Sequence, residues 1–223
     1  MKHSGNSNEA CAHDTVLVLD LGNVVIGLSS ENIFRALSHS SGIQLHGSWE
    51  TYFDDAVSRR FECGMIAPEE YSPHIQKQLN IKISDREFYA AFNSLFTGVF
   101  PGLTERLRIL KKKHRILVLS NTNAIHQSFF VREYAQVFSL FDRCYYSHEM
   151  KMRKPDAGIY QAVLAHENLS PGSICYLDDN PLNIAAGEKT GMRSVLITGM
   201  DGTIRALDAC FPDELCKLND PNT

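Results

Sequence analysis

Five short runs of nearly unbroken apolar character punctuate the chain: TVLVLD (15–20), RILVLS (115–120), RCYYS (143–147), SICYLDD (173–179) and SVLIT (194–198). Apolar residues on consecutive positions, rather than on alternate ones, mean burial on both faces, the habit of strands in a parallel sheet. Amphipathic stretches lie between them at 102–113, 123–138, 156–168 and 181–190, with Ser170-Pro171 and Asn180-Pro181 as stop and start signals. Alternating strands and helices predict an α/β fold built on a doubly wound parallel sheet.

Residues 29–98 break the alternation. They carry no convincing strand and read as helices near 30–41, 49–61, 68–79 and 84–95. Ser84 and Glu87 have the spacing of a capping box before an apolar helix face. About seventy residues of helix between the first and second strands far exceed an ordinary βα connection. The expected organisation is therefore a core of residues 14–28 and 99–210 with a helical cap, 29–98, inserted after the first strand. Such an insert lies over the carboxyl edge of the sheet, where ligands bind in open α/β folds.

Composition narrows the function classes. The chain has 223 residues, 43% of them hydrophobic, and a formal net charge of −4. No basic excess points to nucleic acid or to an anionic membrane. The densest basic run, Lys111 to Arg115, reads as the solvated end of a helix favoured by its dipole. No run of apolar residues is long enough to span a bilayer. The six cysteines form no CxxC pair, and Cys144 and Cys175 fall in apolar runs as small core residues. A reducing, cytoplasmic setting is the expectation. The polar opening MKHSGNSNEACAHD lacks the apolar stretch of a secretory signal, and its first thirteen residues read as a loose tail. The stretch after 211 carries no functional signal, and the oligomeric state is left open.

Four short stretches stand at strand ends or at a helix start: Asp20 in DLGNV, Ser120-Asn121-Thr122 in LSNTN, Lys154 in RKPDAGIY, and Asp178-Asp179 in YLDDN. A parallel sheet gathers strand carboxyl ends along one rim, so these residues meet although they are far apart in sequence. Three carboxylates at one rim repel unless something compensates. Mg²⁺ does so, typically with carboxylates, waters and substrate phosphate as ligands. Lys154 adds a fixed positive charge, and Ser120 with the N–H groups after it can donate to an anion. Together they make a site for phosphoryl chemistry, with Asp20 as a nucleophile able to form an aspartyl phosphate. Gly22 lets the chain turn so that its carbonyl can face the metal.

These stretches resemble the four motifs of the haloacid dehalogenase superfamily. The likeness covers about 15–205 and is nearest to its bacterial sugar-phosphatase branch, that of the α-D-glucose-1-phosphate phosphatases. It is looser over the insert, where FECGMIAPEEY resembles the family's Glu-x-Gly-x-Ile segment. The resemblance implies a Mg²⁺-dependent phosphatase acting on a small phosphorylated metabolite, such as a sugar phosphate. Asp20 would be nucleophile and metal ligand, the Gly22 carbonyl and Asp179 further ligands, and Asp178 an adjacent acid holding metal-bound water or Lys154. Ser120, Asn121 and Lys154 would hold the phosphoryl oxygens.

The chain departs from the family at one position. The superfamily's phosphatases usually carry a second aspartate two residues after the nucleophile, which protonates the leaving oxygen, and here that residue is Gly22. Asn23 could orient water or substrate there, whereas His148 reads as a surface histidine. Metal-independent 2-haloacid dehalogenation and phospho-ligand binding without turnover are the alternatives. The paired acids Asp178-Asp179 favour the metal-dependent phosphatase over the first. Trp49, Tyr52, Phe53, Arg59, Arg60 and Glu62 are candidates to reach the site from the insert.

Overall fold

The computed structural model describes residues 15–199 and 201–219. The strands are β1 (Val16–Leu19), β2 (Ile26–Leu28), β3 (Phe96–Val99), β4 (Ile116–Ser120), β5 (Arg143–Tyr146), β6 (Ile174–Asp178) and β7 (Arg193–Leu196). The helices are α1 (Ser30–Ser41), α2 (Trp49–Tyr52), α3 (Ala56–Glu62), α4 (Pro68–Leu79), α5 (Asp85–Asn93), α6 (Leu103–Leu110), α7 (Ala124–Glu133), α8 (Ala135–Phe138), α9 (Ser147–Met150), α10 (Ala157–Glu167), α11 (Pro181–Thr190), α12 (Gly202–Cys210) and α13 (Pro212–Leu215).

All five apolar runs are strands of one parallel sheet, in the order β5-β4-β1-β6-β7. Their unbroken apolarity has the expected cause, since both faces are covered. Leu17, Leu19, Ile116, Val118, Cys175 and Leu177 pack on one side with residues of α6, α7, α8 and α12. Val16, Val18, Leu117, Leu119, Ile174 and Tyr176 pack on the other with residues of α10 and α11. The chain leaves β1 toward β4 and β5, then returns to β6 on the opposite side of β1. That reversal opens a crevice at the carboxyl ends of β1 and β6, the usual ligand position in such sheets.

Helices α1 to α5 form a separate apolar cluster, in which Phe53, Phe61, Tyr71, Phe88 and Phe92 are buried with Ile33 and Leu37. Stacking of Phe61 on Tyr71, with centroids 4.1 Å apart, ties α3 to α4. The capping box at Ser84 and Glu87 is present at the start of α5.

Several elements differ from the sequence expectation. Residues 26–28 and 96–99 form a two-stranded antiparallel ribbon, with Ile26 opposite Val99 and Gly27 opposite Gly98. It escaped the apolar pattern because each strand is short and carries a glycine, Gly98 at a φ of +120°. The helix expected over 49–61 is two helices, because Asp55 starts α3 by accepting a hydrogen bond from Ser58 N–H at 2.6 Å. The helix expected over 123–138 breaks at Tyr134. His148 is buried rather than superficial, with Nε2 2.7 Å from Gln127 Oε1, and burial lowers its pKa. The segment after 211 holds a short helix, and Phe211 and Leu215 pack into the core. The N-terminal tail lies outside the described residues.

Candidate active site

The site is built on the ends of three strands, β1, β4 and β6, and on the loop before α10. Asp20 follows β1 directly, and its N–H donates to the Leu177 carbonyl of β6 at 2.8 Å. The chain then turns tightly: Val25 and Ile26 N–H both donate to the Leu21 carbonyl, each at 2.9 Å. Asn23 occupies the left-handed region at φ +53°, which its short polar side chain tolerates. That side chain links two parts of the site, donating to Asp179 Oδ2 at 3.0 Å and accepting from Leu28 N–H at 3.1 Å.

Lys154 is the centre of the charge arrangement. Its ammonium lies 2.8 Å from Asp20 Oδ1 and 2.6 Å from Asp178 Oδ2, and only 1% of the residue is exposed. Burial alone would lower the lysine pKa, but the two carboxylates hold it above its ordinary value, so Lys154 stays charged. Burial raises the Asp20 carboxyl to about 7, opposed by Lys154 and reinforced by Asp178. Burial also raises Asp179. Both shifts have the sign expected of buried acids crowded against one another.

Asp178 is fully buried and heavily engaged. Besides Lys154 it accepts from Tyr176 OH, from Asn180 N–H at 2.8 Å, and from Asn183 Nδ2 at 3.0 and 3.1 Å. Tyr176 and Asp178 are two apart on one strand and so share a face. Asn183 reaches back from the first turn of α11. Neither had been singled out in the sequence, although the spacings Y-x-D and D-x₄-N carry the signal. With its oxygens occupied in this way, Asp178 anchors Lys154, and Asp20 and Asp179 are left as the more available metal donors.

One carboxylate oxygen from each of Asp20, Asp178 and Asp179 lies within 4.8 Å of the others. An all-oxygen donor set of this kind suits a hard divalent cation. Ser120 is buried at the end of β4 and lines a small cavity of about 90 Å³ together with Gly22, Asn121, Glu62 and His126. The Asn121 amide makes a two-way clasp with the Lys154 backbone, donating to its carbonyl at 2.9 Å and accepting from its N–H at 2.8 Å. The residues singled out at the ends of β1, β4 and β6 and in the loop before α10 therefore come together at one rim, with the Asn121 side chain holding Lys154 in place.

The insert candidates divide. Trp49 and Glu62 line cavities at the site, and Glu62 Oε2 receives Arg153 Nε at 3.0 Å. Burial raises the Glu62 carboxyl and the Arg153 guanidinium opposes it. Phe53 belongs to the apolar cluster of the insert, with Tyr52 packed against it. Arg59 pairs with Asp54 on the surface, and Arg60 is exposed. Three anchors fasten the Glu62–Gly64 turn to the sheet side. Ser147 Oγ donates to the Glu62 carbonyl at 2.6 Å, Lys151 Nζ donates to that of Gly64 at 2.7 Å, and Arg153 holds the Glu62 side chain.

Residues 21–197 match the family described as haloacid dehalogenase-like hydrolases, and the chain belongs to that family of enzymes. It is 20% identical over 183 residues to a D-ribitol-5-phosphate phosphatase of Bacteroides thetaiotaomicron, covering 80% of this chain and 89% of the relative. It is 28% identical over 168 residues to a sesquiterpene phosphatase of Aspergillus oryzae, covering 72% and 83%. Among solved structures, a haloacid dehalogenase family enzyme of B. thetaiotaomicron, in complex with magnesium and inorganic phosphate, superposes with a TM-score of 0.72 at 27% identity. That match covers 82% of this chain and 94% of the other. Among the described residues no helix is long and apolar enough to cross a membrane.

Proposed function

We propose that this chain is a Mg²⁺-dependent phosphatase of small phosphorylated metabolites, with Asp20 as its nucleophile. The observation that carries the reading is the Lys154 ammonium bridging Asp20 and Asp178 beside Asp179, at the carboxyl ends of β1 and β6. The magnesium and phosphate of the solved relative and the two phosphatases among the sequence relatives support it.

Asp20 and Asp179, with the Gly22 carbonyl, would hold Mg²⁺, and Asp178 would hold Lys154. When bound, Mg²⁺ supplies positive charge that offsets the acids and the phosphoryl group. The Asp20 carboxylate attacks phosphorus, the bond to the leaving oxygen breaks, that oxygen takes a proton from solvent water, and an aspartyl phosphate forms. Water then cleaves the acyl phosphate, releasing phosphate and restoring Asp20. Lys154 and the Ser120 hydroxyl stabilise charge on the phosphoryl oxygens, and Asn121 keeps Lys154 positioned. Residues 29–98 act as the cap over the core of 14–28 and 99–210, fastened through Glu62 and Gly64. A sugar phosphate, suggested by the family resemblance, has support in the ribitol-5-phosphate relative, and the sesquiterpene relative points to a different organic group.

The test is phosphate release from acetyl phosphate and a panel of phosphomonoesters, with Mg²⁺ or with EDTA, by wild type and Asp20→Asn. Release that needs Mg²⁺ and vanishes in the variant is the expected result. Halide release from 2-haloacids in EDTA, or ligand binding with no turnover of any compound, would overturn the reading.

A further inference from the structure

A buried histidine nitrogen at the site has no partner. Among the described residues, Tyr89 Oη, His126 Nε2 and His148 Nδ1 are the buried side-chain polar atoms that meet no hydrogen-bond partner. Of these residues, His126 lines the cavity of about 90 Å³ beside Ser120 and Gly22. It sits in the first turn of α7, where its N–H donates to Asn123 Oδ1 at 3.1 Å, and only 4% of the residue is exposed. The insert fixes its ring. Phe92 stacks on one face with centroids 4.1 Å apart, Phe96 meets it edge-on at 5.0 Å, and Nδ1 lies 3.0 Å from Asn93 Oδ1. With Nδ1 on Asn93 and one face on Phe92, the Nε2 edge is the polar part of the ring left to meet the cavity.

The chemistry of that edge follows from its neighbours. An amide oxygen can only accept, so the imidazole proton stands on Nδ1 and Nε2 carries a lone pair. Burial lowers the His126 pKa to about 3, so a second proton does not satisfy Nε2 near neutrality. A buried acceptor left unpaired is costly, and Nε2 therefore calls for a donor. Three other polar side chains of the cavity already have partners: Glu62 is held by Arg153, Asn121 by the Lys154 backbone, and Asn123 by the His126 N–H. An ammonium brought here would need a carboxylate to itself, and Glu62 is taken. A hydroxyl is a neutral donor of the right size. Because Ser120 lines the same small space, a donor on Nε2 lies only a few atoms from a phosphoryl group at Ser120.

We infer that His126 determines specificity for the organic group of the substrate, its Nε2 accepting a hydrogen bond from a hydroxyl on one of the two carbons next to the ester carbon. This rests on the phosphatase reading, because it takes the phosphoryl group to lie at Asp20 and Ser120.

The experiment compares glycerol 3-phosphate with propyl phosphate, the same carbon skeleton without the hydroxyls, on the full chain with Mg²⁺. Wild type, His126→Phe and His126→Gln are measured, with acetyl phosphate reporting the phosphoryl chemistry alone. Phenylalanine keeps a ring to stack on Phe92 and removes the acceptor, whereas glutamine offers an amide oxygen in its place. In wild type, kcat/KM for glycerol 3-phosphate should exceed that for propyl phosphate by about tenfold or more, the scale of one buried hydrogen bond lost. His126→Phe should bring that ratio close to one, and His126→Gln should keep part of it. If His126 only supports the fold, or if Nε2 serves an ordered water, both esters slow together and the ratio stays as in wild type, which overturns the inference. A wild type that treats the two esters alike, or prefers propyl phosphate, overturns it while leaving the phosphatase reading intact, and that comparison needs no variant to fold. Should acetyl phosphate and both esters go unhydrolysed, the phosphatase reading falls. Calorimetry of the two esters on Asp20→Asn protein, with and without His126→Phe, then decides the role of His126 without turnover. Tighter binding of glycerol 3-phosphate that is lost with His126→Phe supports it, and equal or undetectable binding overturns it.

Discussion

Lys154 and Asp178 form a buried ion pair at 2.6 Å, and the same ammonium reaches Asp20 at 2.8 Å. Neither Lys154 nor Asp178 is exposed beyond 1%. One cation therefore has two carboxylates to neutralise, and the third acid, Asp179, lies beside them. Such an excess of negative charge on oxygen donors suits a hard divalent cation.

Replacing Lys154 by Met removes the ammonium that bridges Asp20 and Asp178. Breaking a buried pair by deleting one partner costs about 3–5 kcal/mol, because the other charge is left uncompensated. Urea unfolding of Lys154→Met should show a loss in that range. Phosphate release should fall by about 10² or more even at temperatures where the variant is folded, since a donor to the phosphoryl group is also lost. Asp178→Asn should cost less activity than Asp20→Asn, because Asp178 holds Lys154 and Asp20 is the proposed nucleophile.

The absent acid at position 22 gives a second test. Introducing an aspartate at Gly22 puts a Cβ 2.6 Å from Leu28 Cδ1, a distance that forces Leu28 to move. Gly22→Asp alone should be less stable by roughly 1–3 kcal/mol, the usual cost of overpacking. Gly22→Asp combined with Leu28→Ala frees that space, and its melting temperature should exceed the one obtained by adding the two single effects. Enzymatic release of simple alkyl alcohols from their phosphates should be faster in the double variant than in Leu28→Ala. General acid help is worth about 10²–10⁴ where the geometry is right.

Much of this was legible in the sequence, and the exceptions share a cause. The sheet could be read because β1, β4 and β6 are buried on both faces, which leaves no polar position to blur the run. The shared position of Asp20, Ser120 and Asp178-Asp179 at one rim of the sheet could be read because all of them terminate such runs, which fixes their place in space. The β2–β3 ribbon was missed because its pairing is non-local and its strands are short and glycine-containing. His148 looked superficial because a lone histidine after a strand carries no sign of the Gln127 side chain that meets it. Tyr176 and Asn183 needed the register of β6 and the first turn of α11 before their shared interest in Asp178 became visible.

Asp55 offers a pH-dependent test away from the chemistry. Burial would raise its carboxyl, but hydrogen bonds from Ser58 N–H, His74 and Gln78 bring it well below the usual range. A depressed folded-state pKa means that the contribution to stability is present above the unfolded value of about 4 and is lost as the pH falls through the folded one. The side chain is 34% exposed, so solvent screening keeps the charge component small and the cap itself dominates. Asp55→Ala should lower stability by about 1 kcal/mol at pH 7, the usual cost of losing an N-cap. The gap between the variant and wild type should narrow below pH 4 in guanidinium melts.

Mg²⁺ should stabilise the folded chain, and the effect should depend on Asp179. A ligand present at a hundredfold excess over its Kd adds about 2.7 kcal/mol. For a chain of this length that corresponds to roughly 5–10 °C in Tm. Asp179→Asn is a gentle variant, because an amide oxygen can still accept from Asn23 Nδ2 as the carboxylate does at 3.0 Å. It removes a charge and leaves the Asn23 link intact. In calorimetric scans without metal, the variant should melt at or slightly above wild type, since one of three crowded acids is gone. With saturating Mg²⁺ the wild type should shift upward and the variant should not. A variant that shifts as far as wild type would move the metal away from Asp179 and onto Asp20 and Asp178. Asp178 would then have to give up part of its hold on Lys154, and metal binding would be coupled to release of the lysine.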